Sequence, residues 1–343
     1  MDQQYINSLP SNTTYIDLSD NNLTSLPDLS RFKNLQKLNC SRNLLTSLPT
    51  LNKNLQELNC YDNQLTSLPP LNKKLKKLNC SRNLLTSLPL LNKNLQILNC
   101  FYNQVTSLPP LNNNLHELGC SYNKLTSLPT LNKNLKKLNC YFNQLTSLPP
   151  LNKKLQLLYC PFNQLTSLPN LNNNLQKLDC SHNQITSLPT LNEQLQGLDC
   201  SRNQLTSLPK LNNKLQKLYC DYNQLTYIPP LNEQLQKLDC SNNQLTSLPE
   251  LNNKLQELDC RYNPFDVLTS DDNIYIMKKK INILFRFRFI YYSIKFKRQF
   301  KKWLWERIRE PKIAKKYHPS YLQEHLHDDL NIDEVINKWI GDD

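Results

Sequence analysis

The stretch Leu55-Gln56-Glu57-Leu58-Asn59-Cys60-Tyr61-Asp62-Asn63-Gln64-Leu65-Thr66-Ser67-Leu68-Pro69 decides the fold. Its recurring residues read LxxLxCxxNxLxxLP, and xLxxx leads into the next copy. The cysteine recurs at 40, 60, 80 and every twentieth residue to 260, twelve in all, without a slip. A period of this length repeated so often is the mark of a solenoid. Leu58 and Cys60 are two apart, so on a strand they point to the same side. Leu55, Leu65 and Leu68 arrive at loop-like spacings and converge on the same interior. One unit cannot bury these side chains alone, but stacked units bury them against the copies before and after.

Other columns of the repeat agree. Asn63 recurs as Asn21, Asn43 and Asn83 and onward to Asn263. An inward asparagine has two donors and an acceptor, which satisfy turning backbone in its own and a neighbouring repeat. The prolines from Pro27 to Pro249 suit an extended segment and exclude helix there. Glycine occurs only at 119, 197 and 341, so Asn and Pro do the turning. In the first unit Leu18 takes the cysteine position, and the unit is two residues longer, through Ser30 to Asn34. Residues 1–12 hold a degenerate half unit, Ile6, Leu9 and Pro10, expected to cap the N-terminal end.

The pattern resembles the leucine-rich repeat family in its short bacterial-type form, with LP on the convex side, over about Thr13 to Leu268. The resemblance implies a horseshoe of about thirteen repeats, with a parallel sheet on the concave side and extended convex segments. The expected division is 1–12 as cap, 13–268 as solenoid and 269–343 as a helical C-terminal cap or tail.

The cysteine ladder reads as buried free thiols acting as small hydrophobes. Parallel strands lie roughly 4.8 Å apart, which places in-register cysteines poorly for disulfides. A straight ladder gives any metal two neighbours where tetrahedral zinc needs four ligands. Extracellular members of the family usually have disulfide-bonded end caps, and here every cysteine belongs to the ladder. The start Met1-Asp2-Gln3-Gln4 lacks the basic and apolar regions of a signal peptide. These features lead to the expectation of an intracellular, reducing compartment.

Function in a solenoid lies in positions that escape the consensus. Residues flanking Leu58 and Cys60 on the strand face the concave side, giving four columns. The column of Asn59 turns from amide to carboxylate halfway, through Asp179, Asp199, Asp239 and Asp259. The third and fourth columns hold aromatics. Ile97, Phe101, Tyr102, Tyr122, Tyr141, Phe142, Leu157, Tyr159 and Phe162 fall on four adjacent strands. Exposed aromatic clusters supply contact area with few rotors, so these residues are the candidate partner-binding face, with Asp179, Asp199 and Asp239 beside them for a basic segment. Aromatics coating a sheet also stabilise it by cross-strand stacking, and that alternative stays open.

Composition changes after Asn263. Lys278 to Lys316 carries fifteen Lys and Arg against Glu306 and Glu310, and its net +13 equals the formal charge of the whole chain. No proline falls between Pro264 and Pro311. Ser270, Asp271 and Asp272 offer N-cap chemistry, so a helix is predicted from about Asp272 to Arg309. Phe285, Phe289, Tyr292, Phe296, Phe300 and Trp303 make one stripe, and Arg288, Lys295, Lys302 and Arg309 make a basic one. The aromatic stripe is expected to bury against the last repeat. The basic one suits an anionic membrane or nucleic acid. Charges every few residues exclude a transmembrane span. Tyr321 to Leu326 and Asp333 to Ile340 read as short helices. His318, His325 and His327 near Glu324, Asp328 and Asp329 show no diagnostic metal spacing, so no metal or cofactor is expected. The segment Trp303-Leu304-Trp305-Glu306 with Tyr317-His318-Pro319 and Trp339 looks like the tails of giant amoebal DNA virus proteins, implying a viral protein in host cytoplasm.

No GxxxxGK, GxSxG or HExxH pattern occurs. Some bacterial effectors with similar repeats carry a C-terminal ubiquitin ligase with a cysteine nucleophile, but the tail here contains no cysteine. The reading is a non-catalytic, monomeric protein that binds a protein or peptide on its concave face. Alternatives are an adaptor that recruits the partner to another machine through the basic tail, and a virion or membrane-associated structural component.

Overall fold

A computed structural model describes residues 2–264 and 274–306. Three-residue strands run from β1 (Tyr15–Asp17) and β2 (Lys37–Asn39), at every twentieth residue, to β13 (Glu257–Asp259). All thirteen form one parallel sheet in chain order. Register is constant, with Leu58 opposite Leu78 and Leu98 opposite Leu118. The longer first unit keeps this pairing, Ile16 opposite Leu38, and buries its extra Phe32 completely.

The repeat's residue types explain the short strand. The central leucine and the following cysteine turn inward, so Leu58 and Cys60 are buried with Leu55 and Leu65. Burying one such leucine contributes roughly 1.5–3 kcal/mol. Two residues after the cysteine the backbone enters the left-handed region, with φ of 53° at Arg42, 52° at Tyr102 and 57° at Tyr262. Only Gly and occasionally Asn or Asp accept that conformation readily, so something must hold the other residues in it. The inward asparagine does. Asn143 Nδ2 donates to the carbonyls of Cys120 and Cys140, each at 3.1 Å, and its Oδ1 accepts the Leu125 N–H at 3.0 Å. The same bonds recur from Asn43 to Asn263.

A second asparagine ladder, at Asn52, Asn72, Asn92 and onward, fastens the opposite side of the solenoid. Asn92 Nδ2 donates to the Asn72 carbonyl at 2.9 Å and the Leu75 carbonyl at 3.0 Å, while its Oδ1 accepts the Asn94 N–H at 2.7 Å. A reading focused on the strand side passes over it, although the Leu-Asn pair that carries it repeats as regularly as the cysteine.

The chain divides into two units, Met1–Asn282 and Ile283–Asp343. In the first, residues 2–8 form the helix α1 (Asp2–Ser8) rather than a half repeat. The stretch before Pro10 has no proline and contains two glutamines, which favour helix. Ile6 is buried, and Arg31 donates to the carbonyls of Ile6 and Leu9. The helix α2 (Ile274–Leu304) begins in the first unit and continues into the second. Within the first unit Ile281 is buried, and Asn282 exchanges two hydrogen bonds with the Leu251 backbone, at 2.7 and 3.1 Å. Lys278 Nζ donates to the Asn253 carbonyl at 3.0 Å.

At Tyr292 and Phe296 the burial expected of the aromatic stripe is corrected. Tyr292 is 42% exposed and Phe296 61%, whereas Ile281 is 4% exposed. Ser270 to Asp272, Arg309, Pro311, the helices read at 321–326 and 333–340, and the histidines at 318–327 lie outside the described residues.

Candidate binding surface

The sheet brings the aromatic residues into two connected rows. Ile97 opens β5 (Ile97–Asn99), and Tyr159 closes β8 (Leu157–Tyr159). Between them lie β6 (Glu117–Gly119) and β7 (Lys137–Asn139). The positive-φ position after each strand carries Tyr102, Tyr122, Phe142 and Phe162. These rings stack face to face, with centroids 3.9, 4.4 and 4.1 Å apart. The stack continues to His182 at 3.8 Å. Cations flank it: the Arg82 guanidinium lies 5.3 Å from the Tyr102 centroid, and Arg202 lies 4.1 Å from that of Tyr222. Burial and the Arg202 charge hold His182 below its ordinary range. The in-register period explains the stack, because parallel strands bring equivalent side chains to nearly the stacking distance. The rings' faces are turned to one another, and their edges are exposed.

The second row, Phe101 and Tyr141, meets the first edge-on. Phe101 is 6.0 Å from Tyr102, and Tyr141 is 5.0 Å from Tyr122. Burial pushes the Tyr141 hydroxyl up. The residues from Ile97 to Phe162 named from the sequence are therefore brought together on four neighbouring strands. His182, Arg82 and Arg202 were not named; the signal for them was their shared column with Tyr102.

The carboxylates sit further along. Asp179 closes β9 (Lys177–Asp179), and Asp199 closes β10 (Gly197–Asp199) in register with it. One oxygen of each is used locally: Asp179 Oδ1 accepts the Ser181 N–H and O–H, and Asp199 Oδ1 accepts those of Ser201. Asp239 does the same with Ser241. Burial and the neighbouring Asp199 raise the Asp179 carboxyl. Asp221 is pushed up to about 6 by burial and by Asp239. Asp259 is held below its ordinary range, chiefly by the Arg261 guanidinium. Asp179 and Asp259 thus differ from each other in a way that their shared column does not predict.

All twelve cysteines are free and buried. Burial pushes Cys100 and Cys140 up to about 12. Five thiols, Cys80 among them, donate weakly to a carbonyl of the next repeat. Among the described residues no group of three or more His, Cys, Asp or Glu is arranged to hold a metal ion.

In the second unit Arg288, Lys295 and Lys302 are exposed. Lys295 Nζ lies 5.9 Å from the Tyr291 ring, and Lys302 is 3.7 Å from Glu306. Exposed apolar residues, including Phe287, Ile290 and Ile294, sit between the cations. Among the described residues, no helix is long and apolar enough to cross a membrane.

A parallel solenoid with one strand per twenty-residue turn, stitched by inward asparagines, defines a class of repeat protein whose variable residues lie on the sheet face. A two-copy leucine rich repeat model matches residues 53–93 and 213–253, and a single-repeat model matches 174–192. The chain is 37% identical to YopM from Yersinia enterocolitica, with a TM-score of 0.74 over 78% of its length, and spans 60% of that protein. It is 30% identical to the leucine-rich effector YopM of Yersinia pestis, TM-score 0.58, covering 74% of this chain and 84% of that one. The functional domain of InlJ from Listeria monocytogenes, described as including a cysteine ladder, is 31% identical, TM-score 0.62, over 75% of this chain and 65% of that one. No curated protein matches in sequence. The chain belongs to the leucine-rich repeat family.

Proposed function

We propose that the chain is a non-catalytic binding protein whose sheet face receives a protein or peptide over β5 to β8, with Asp179, Asp199 and Asp239 beside the contact. Leucine-rich repeat proteins are generally protein-interaction modules. The observation that carries the reading is the exposed aromatic surface, with Tyr102 at 40%, Phe142 at 37% and Phe162 at 38% exposure. Rigid aromatic rings on an exposed face provide contact area at low entropic cost. Substituting Tyr102, Tyr122, Phe142 and Phe162 with Ser tests it. Partners that co-purify with the full chain should be lost while circular dichroism is retained; retained partners with a lowered melting temperature would make the rings structural.

The tail supports a second reading, an adaptor or membrane-associated role. From Ile274 to Leu304 the helix carries ten Lys and Arg and no acidic residue. Basic helices with interleaved aromatics associate with anionic surfaces. Reversing the charge of Arg288, Lys295, Lys302 and Arg309 should abolish salt-sensitive retention on anionic vesicles without changing the melt. Equal retention of the variant would remove this reading. The reduced thiols suit a reducing, intracellular compartment, and the resemblance of the tail to giant amoebal virus proteins supports a host cytoplasmic setting.

A further inference from the structure

The column that follows each central leucine holds a side chain at every strand except one. It reads Asn39, Asn59, Asn79, Asn99, Gly119, Asn139, Tyr159, Asp179, Asp199. Gly119 opens a cleft of about 270 Å³, floored by Leu118 and Ser121 and walled by Phe101, Tyr141, Leu157 and Tyr159. The ion pair of Glu117 with Lys137, at 2.7 Å, lies on its rim. Ser121 Oγ donates to Asn139 Oδ1 at 2.8 Å, which ties the floor to the next strand. Asn99 leans into the space: a Cβ on residue 119 would come within 2.7 Å of its Oδ1. Asn59 donates to Asn39 in the same column, whereas the Asn99 amide makes no hydrogen bond to another described residue. The Asn99 amide is therefore a polar group beside an aromatic-walled notch.

The volume decides the class of occupant. Pockets for small molecules run from roughly 300 to 1,000 Å³, so this notch suits one large side chain better than a drug-sized ligand. The paired carboxylates set the direction. Asp179 and Asp199 are neighbours in register, each with its Oδ1 on a serine, and neither forms an ion pair with a described residue. They lie three and four strands from Gly119, about 14 and 19 Å away. An extended chain advances about 3.3–3.5 Å per residue, so four to six residues span that distance.

We propose that the Gly119 notch is the anchor site of the sheet face, and that it takes one aromatic side chain of an extended polypeptide whose Lys or Arg, four to six residues away, pairs with Asp179 and Asp199. This rests on the reading that the sheet face binds a polypeptide. It adds where the anchor sits and what sequence chemistry the partner carries.

The test is selection of peptides from a displayed random library on the full chain, followed by affinity measurement with the selected peptides. Gly119→Asn fills the notch with the residue its column carries at Asn99 and Asn139. The Asn99 side chain yields by rotating, so the variant should melt at or above the parent temperature. Phe101→Ser and Tyr141→Ser remove the walls using the residue found in their own column at Ser81 and Ser121. Selected peptides should carry an aromatic residue with Lys or Arg four to six positions away. They should bind Gly119→Asn and the wall variants at least tenfold more weakly, and Asp179→Asn with Asp199→Asn several-fold more weakly, with the difference shrinking in high salt. Undiminished binding to Gly119→Asn and to both wall variants, with loss in the four-residue ring variant, overturns the notch and leaves the sheet-face reading standing. Undiminished binding to every variant, or no peptide selected at all, overturns both.

Discussion

At the scale of single residues, two polar side chains show how position overrides type. Asn143 and Asn163 each bond carbonyls in two repeats and hold the N–H of the leucine one strand back. Replacing either with Ala leaves buried backbone groups unpaired, at about 1–3 kcal/mol, whereas Lys153→Ala on the exposed side should be close to neutral. Urea melts of the three variants check the ranking. Asp221 is the opposite case, a group the fold disfavours when charged. Its carboxyl is pushed up to about 6, first by burial and then by Asp239. An unfolded aspartate titrates near about 3.9, so the native state holds the proton more tightly. Its contribution to stability therefore falls as pH rises from about 4 to about 6, and the cost is complete at neutral pH. Asp221→Asn should raise the melting temperature at about pH 7 and leave it unchanged at about pH 3.5. A variant less stable at neutral pH would show that Asp221 has a favourable partner there.

At the scale of elements, the ring stack is a product of the repeat. Tyr122, Phe142 and Phe162 occupy positive-φ positions, at 50°, 50° and 52°. Such backbone is unfavourable for aromatic residues, and stacking at 4.4 and 4.1 Å offsets part of that cost. Phe142 has a ring on each side, so Phe142→Ser should lose stacking of about 0.5–1.5 kcal/mol per pair. Tyr262→Ser, outside the stack, should lose less in the same melt. Equal costs would mean that each ring packs only on its own repeat.

At the scale of the whole molecule, the two ends of the solenoid decide whether the stack persists, because terminal repeats lack a neighbour. Ile6 of α1 is buried at one end, and Ile281 with Asn282 of α2 serves Leu251 at the other. We expect a chain lacking residues 270–343 to fray from β13 or to aggregate, through the apolar end around Leu255 and Cys260. Hydrogen exchange along the last three strands and light scattering measure this. A truncation that stays monodisperse and fully protected, and loses only vesicle retention, would make the tail the functional module and remove its capping role.

The sequence by itself determined the period, the parallel order, the inward leucines, cysteines and asparagines, and the four strands that bear aromatics, because each repeat sees nearly the same neighbours as the next. The tertiary structure alone decided what depends on differences between adjacent copies. The rings of Tyr102, Tyr122, Phe142 and Phe162 meet face to face, His182 joins them, and Gly119 becomes a walled notch, because strand spacing and the left-handed turn fix distances that a column of letters does not carry. Asp221 and Asp259 titrate in opposite directions because burial and a neighbouring carboxylate raise one, while a guanidinium lowers the other. The tail marks the limit of pattern reading. Its aromatic stripe was visible at helical spacing, yet Tyr292 and Phe296 are exposed and Ile281 is buried, since periodicity defines a face and only packing defines what that face meets.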